Sequence, residues 1–381
     1  MVASHGGLDD GARGRDRVLG IEELAMRTSK AQRRGFTLVE LLVVILIIAI
    51  VVAIVVPALG GARNVARSTG SQSMLTDLLN ACEQFRLDER RYPGYFSALE
   101  MGSTENQTRG FTAMENIMLE LAGGIITLGG NEPPGVLYVG PTQSGVVTVD
   151  VDKIGVPGPN NKQYYSPKGR NYVAQNGRGA AGLQAAAQDN QDYPDMVDMF
   201  GNPVIVFVEN EMAIGPIDTV NDFAKIAHSG TNDPLARFYW ASNAGFLDST
   251  QLGRGGRSQR QVDPNRPHSI LGGGRNPADL QNSMVGFLGS TSYPNLSGAG
   301  GFGAGMLPSA SRGKLVFMSA GPDGYFLGTE DRGARQFANQ TLLYERNFIN
   351  AQGQRFTDSA GQVTTIDITE DFDDILVASG N

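Results

Sequence analysis

Cysteine is all but missing from this chain: of 381 residues only Cys82 is one. No intrachain disulfide can staple the fold. Histidine is nearly as scarce. His5, His228 and His268 are the three; His5 lies near the N-terminus, and neither His228 nor His268 lies at metal-ligand spacing from another His, a Cys or a paired acid. No catalytic constellation emerges from these residues, although paired carboxylates, which meet in space rather than in sequence, stay open. Positive charge is also in deficit. The chain has 31 basic and 39 acidic residues, a net charge of −8. Residues 1–35 hold seven of the basic and five of the acidic ones, which leaves the rest of the chain at −10. An acidic surface argues against nucleic acid as a general partner and suits cations.

What is present in abundance is one apolar run. From Leu38 to Leu59 the only polar residue is Glu40, and the next is Gly60. The stretch has the roughly 20 apolar residues that cross a bilayer as a helix. A cleavable secretory signal has a shorter apolar core of about 7 to 15 residues followed by a small-residue cleavage site, and "PALGGA" after this run is a poor one. A plain signal anchor would tolerate an acid near its end at a cost of about 3 kcal/mol or less, yet it gives no reason for a particular residue at position 40. Arg27, Lys30, Arg33 and Arg34 precede the run without an acid among them, which keeps the N-terminus cytoplasmic and exports the bulk of the chain.

The residues from Arg33 through Gly35, Phe36 and Thr37 to Glu40 resemble the processing site of type IV prepilins and of type II secretion pseudopilins. The resemblance implies cleavage between Gly35 and Phe36 by a prepilin peptidase that also methylates the new N-terminus on Phe36. It makes residues 1–35 a cytoplasmic leader. Glu40 becomes the fifth mature residue, a carboxylate that in this family pairs with the N-terminal amine of a neighbouring subunit during assembly. Pro57 falls where the family's helix usually carries a proline that loosens it. The implied partners are copies of the chain and minor pilins in a filament, an inner-membrane assembly platform, and membrane lipid before assembly. "DERRYPGYFSAL" extends the likeness to residue 98 as a helix exit into a Tyr-Pro turn. Physical chemistry points the same way: a buried carboxylate is tolerated when a partner ion replaces its lost water, and losing one partner costs about 3 to 5 kcal/mol. Pro57 has no N–H and clashes with the carbonyl four residues back, so it kinks, frays or ends a helix.

Beyond Pro57 the helical pattern continues, with Met74, Leu75, Leu78, Cys82 and Phe85 forming one apolar face. Cys82 on that stripe reads as a packing residue. Gly60, Gly61 and Gly70 weaken the helix by about 1 kcal/mol each. The expected spine is residues 36–92, its first half in lipid or among neighbouring subunits and its second half packed on an exported head, residues 93–381. In the head "GVLYVG", "GVVTVDV", "PVIVFVEN" and "KLVFMS" read as strands of an antiparallel sheet. Helix on sheet gives an α+β, pilin-like architecture.

Residues 247–308 are rich in Gly, Ser, Asn, Gln and Arg and read as a long low-complexity surface insertion with few buried apolar residues. "GGFGAG" within it lacks the strand and helix that a phosphate loop needs. Arg254, Arg257 and Arg260 read as solvated charge rather than as a contact to nucleic acid or anionic glycan. "DMFGNPVIVFV" is similar to a Gly-Asn-Pro turn of the major type II secretion pseudopilin, and Gly201 and Asn202 have the chemistry to reverse the chain on their own account. "SAGPDGYFLGTED" with "DFDDIL" looks like that protein's calcium loop, although about 40 residues separate the two halves here. The likeness places calcium ligands at Asp323, Asp373 and Asp374; calcium takes 6 to 8 oxygens from carboxylates and carbonyls. The reading is therefore a processed, membrane-anchored filament subunit of a pilus or a pseudopilus, with its head in the periplasm or at the cell surface. A membrane-tethered binding module is the alternative.

Overall fold

The computed structural model describes residues 35–127, 134–157, 162–174, 188–248, 268–292, 294–295, 305–336, 340–350, 352–362 and 364–380. Residues 1–34, expected as a leader, and the Arg254, Arg257 and Arg260 segment lie outside the described residues. The chain divides into two compact units, residues 1–58 and 59–381.

One helix, α1, runs over Leu38–Glu89, 52 residues, through Pro57 and all three glycines. It begins two residues after Phe36 because Thr37 caps it. It ends at Glu89 because Arg90 takes a left-handed backbone, φ 64°, ahead of the Tyr92-Pro93 turn. Its apolar window has a mean hydropathy of 3.5 and none of it is buried. The expected stripe is buried, and Ser71 and Ala81 join it.

In the head, α2 (Ala113–Leu121) starts at a reciprocal cap between Thr112 and Glu115. The strands are β1 (Val136–Val139), β2 (Val147–Asp150), β3 (Tyr172–Ala174), β4 (Pro194–Met196) and β5 (Val204–Val208). Helix α3 (Pro277–Leu288) follows, then β6 (Leu315–Ser319) and β7 (Ile375–Ala378). The four expected strands all form, as β1, β2, β5 and β6, yet they do not share one sheet. β1 and β2 make their own antiparallel pair, as do β3 and β4, while β6 lies between β7 and β5 in an antiparallel three-stranded sheet. The difference arises because the third strand of the main sheet comes from the chain's last residues.

That sheet is a wall between two hydrophobic cores. Val204, Val206, Leu315 and Phe317 face the core built by Met74–Phe85 of α1 and by α2. Ile205, Phe207, Val316 and Met318 face a second core that includes Phe223, Phe238 and Trp240. Alternate residues of a strand point to opposite faces, and both faces are covered, so "VIVFV" and "LVFMS" are apolar runs without polar alternation.

The second core corrects the reading of residues 247–308. Few apolar residues there were expected to be buried, whereas Ile270, Leu271, Leu280, Met284, Val285, Phe287 and Leu288 are. Asn276 accepts the Ala278 N–H at 3.0 Å and Pro277 opens α3. This is a strong helix start. Phe287 of α3 stacks edge-on against Phe207 of β5, with centroids 5.3 Å apart. Glycine-rich flanks dilute the composition and hide a twelve-residue amphipathic helix.

Candidate functional site

The N-terminal segment is built around its first helical turn. Thr37 Oγ1 accepts the N–H of Glu40 at 3.1 Å. In return Glu40 Oε2 accepts the Thr37 N–H at 2.8 Å and its hydroxyl at 3.0 Å. This is a capping box, Thr followed three residues later by Glu, which satisfies two otherwise orphaned donors. Glu40 therefore has a partner within its own chain, and a plain anchor does have a reason for an acid at position 40. Thr37 is the residue that sequence reasoning passed over, although the Thr-x-x-Glu spacing was there to be read. Phe36 is 81% exposed. At Pro57 the helix continues, but the Ala53 carbonyl loses its usual N–H donor four residues on.

A second site lies where the chain leaves β6 and where it enters β7. Asp323, Asp331 and Asp373 each present a carboxylate oxygen, and the three lie within 4.8 Å of one another. Two oxygens bound to one calcium at about 2.4 Å are at most about 5 Å apart, so the spacing fits that ion. Gly328 keeps the space open: a Cβ there would stand 2.7 Å from Asp323 Oδ2 and 3.1 Å from Asp331 Oδ2. Asp323 Oδ1 accepts the Tyr325 N–H at 2.7 Å and Asp331 Oδ2 accepts the Gly328 N–H at 3.0 Å, so the loop's own backbone aims both side chains.

Asp374 is turned to a different task. Its Oδ2 accepts the Leu327 N–H at 2.8 Å, holding a residue whose φ is 49°. Burial, and after it the carboxylates of Asp373, Asp323 and Asp331, push its acid well above the ordinary range. Asp331 is raised too, chiefly by burial. Of the expected ligands, Asp323 and Asp373 come together; the third member of the group is Asp331, which ends the quoted "GTED" but was not singled out.

The acidic loop is tied to α1 through the Gly-Asn-Pro turn. Gly201 takes φ 91°. Asp198 Oδ1 accepts the N–H groups of Phe200 and Asn202, both at 2.8 Å, and its Oδ2 accepts the Ser319 hydroxyl at 2.7 Å. Burial outweighs these bonds and raises the Asp198 acid. Asn202 Nδ2 donates to the Gly321 carbonyl at 2.9 Å, and the Met199 N–H donates to Ser71 Oγ of α1 at 3.1 Å.

With this geometry in view, residues 30–56 match the family model of the prokaryotic N-terminal methylation motif. It is the prepilin and pseudopilin signature. The match spans the Gly35–Phe36 junction, the capping box and most of the apolar run, and it ends one residue before Pro57. No curated protein and no solved structure matches the chain. The chain thus has the N-terminal segment of a pilin- or pseudopilin-like exported subunit, joined to a mixed α and β head of small sheets. One long apolar helix behind this motif fits a single-pass protein of the inner membrane.

Cys82 is buried in the α1 stripe, where burial pushes its thiol far up and leaves it a packing group. His228 lies 3.5 Å from Asp233, which is already engaged by Lys225. His268 is buried, and its backbone is bonded to the acidic loop: its N–H donates to Thr329 Oγ1 at 3.2 Å and its carbonyl accepts the Thr329 N–H at 2.9 Å.

Proposed function

We propose that the chain is a structural subunit of a type IV pilus-like or type II secretion pseudopilus filament, not an enzyme. In this reading a prepilin peptidase cuts between Gly35 and Phe36 and methylates Phe36. The apolar run holds the subunit in the inner membrane, N-terminus inside and head outside, until an assembly platform extracts it. The run then packs among copies of the same helix and minor pilins. The observation that carries the reading is an unburied apolar run behind a methylation motif. Exposed apolar side chains in such number need lipid or protein around them. Glu40 would exchange its Thr37 contacts for the amine of a neighbour's Phe36, and Pro57 would leave a weak point for bending within a bundle.

Calcium is part of the proposal. Asp323, Asp331 and Asp373 would bind it, with backbone carbonyls completing the shell and Asp374 bracing the loop behind. Bound there, the ion would neutralise three clustered carboxylates and stiffen the loop that Asn202 and Asp198 link to α1.

Intact mass and N-terminal analysis of the protein taken from membranes tests the reading. A chain beginning at N-methyl-Phe36 is expected. A stable uncut chain in cells with an active prepilin peptidase overturns it.

A further inference from the structure

The exit of α1 and the end of β5 enclose two adjoining cavities of different character. The outer one, about 550 Å³, is lined by Arg86, Arg90, Arg91, Arg237 and Lys314 with only Glu209 and Glu211 as acids. The inner one, about 210 Å³, is walled by Phe96, Met101, Ala113, Val208, Met212 and Tyr239. Both walls include Arg91, Tyr92, Glu209, Glu211 and Lys314. A cationic wall of this kind stands out in a chain of net charge −8.

The cations differ in how far they are already engaged. Arg91 is held by Glu120 through two hydrogen bonds, and Arg86 by Glu83 at 2.7 Å. Arg237 and Lys314 share one carboxylate: Glu209 Oε1 meets Arg237 at 2.6 Å, and its Oε2 meets Lys314 at 3.1 Å and the Ser311 hydroxyl at 2.9 Å. Glu209 is buried while Lys314 is 41% exposed, so the compensating charge sits in the wall and the cation faces solvent. Among the described residues the Arg90 guanidinium has neither an ion pair nor a side-chain hydrogen bond. It also stands at φ 64°, where glycine would be cheaper.

In the inner cavity Asn116 and Tyr239 are already engaged, while Glu211 lines it as an exposed acid. Asn116 bonds the Phe96 backbone in both directions, at 2.8 and 2.9 Å, and the Tyr239 hydroxyl accepts the Ala236 N–H at 3.0 Å. Apart from Lys314 and Glu211, what remains for a ligand there is largely apolar surface. We propose that this cleft binds a carboxylate carried on an apolar body, the head group at Arg90 and Lys314 and the body among Phe96, Met101 and Met212. A free organic acid and the carboxy terminus of a peptide share this chemistry.

Saturation-transfer NMR on the full chain in lipid nanodiscs tests it. The probes are phenylbutyrate, its neutral amide, acetate, and a tripeptide ending in a free phenylalanine carboxylate. Saturable binding of phenylbutyrate or of the tripeptide is expected, with the amide and acetate weaker by about ten-fold, the worth of one charge-assisted contact. Arg90→Gly suits the left-handed backbone and should keep the fold while weakening binding by about ten-fold. Binding of the tripeptide alone assigns the site to a peptide terminus, and binding of both acids to the shared group. The proposal is overturned if neither acid saturates, if the amide binds as well as the acid, or if Arg90→Gly binds like the parent chain.

Discussion

Two stretches of the same helix, residues 38–59 and 71–85, use apolar side chains in opposite ways. In the first, every residue is exposed and the polar interruptions are one cap and one proline-weakened turn. In the second, apolar residues recur every three or four positions and Met74, Leu75, Leu78, Cys82 and Phe85 are buried against α2 and the sheet. An apolar stripe narrow enough to leave a polar face finds its partner within the chain. A helix apolar all round has to find it elsewhere, in lipid or among other helices.

The largest expected effect comes from breaking the first stretch at its one charge. Glu40→Leu should leave membrane insertion and cleavage intact and abolish filament incorporation, because the amine of Phe36 would be buried without its counter-ion at a cost of several kcal/mol. The ratio of variant to parent subunits in sheared filaments, compared with the ratio in membranes, measures it. Thr37→Ala sharpens the test, since it removes the local cap and leaves the carboxylate. Incorporation close to normal for Thr37→Ala and absent for Glu40→Leu assigns the assembly role to the charge. Equal loss in both would reduce Glu40 to a helix cap, worth about 1 kcal/mol.

Next in size is a pair of alanine substitutions, one in each stretch. Leu78 is fully buried, so Leu78→Ala should destabilise the head by about 2 to 5 kcal/mol. Ile47 is exposed, and Ile47→Ala should leave the head's denaturant midpoint unchanged. Similar shifts from both would mean that the first stretch is packed in the monomer after all.

The proposed calcium site belongs to the head on which the second stretch packs. Millimolar calcium should raise the melting temperature of the head by a few degrees over chelator, since an ion at 100 times its Kd adds about 2.7 kcal/mol to the folded state. Replacing Asp323 and Asp373 together by Asn should erase the rise, and Asp331→Asn should reduce it. A melting curve indifferent to calcium would leave the three carboxylates as a solvated turn.

The smallest effect separates two glycines of α1. A Cβ at Gly60 meets nothing within 4 Å, whereas one at Gly70 meets Met199 Cγ at 3.0 Å. Gly60→Ala should therefore gain about 1 kcal/mol of helix stability, read as about five-fold slower local amide exchange. Gly70→Ala should gain little, because the methyl group presses on the seat formed by the Gly-Asn-Pro turn.

The long helix, its apolar span and its buried stripe were legible in the sequence because each is local. They rest on run length and on a spacing of three to four, both fixed by residues a few positions apart; the Thr-x-x-Glu cap is as local, although it went unread. The N-terminal methylation motif is local in the same sense, and residues 30–56 are the segment a family model matches. The strands of the head were legible as segments too. Their grouping was not, because β7 comes from residues 375–378 and pairs with β6 some 60 positions earlier. The tertiary structure alone decided that the central sheet has a core on each face, which turned residues 268–292 from surface loop into wall. It also brought Asp331 into one group with Asp323 and Asp373, with Asp374 buried beside them. Both outcomes follow from contacts between residues far apart in the chain, and no window of sequence holds both sides of such a contact.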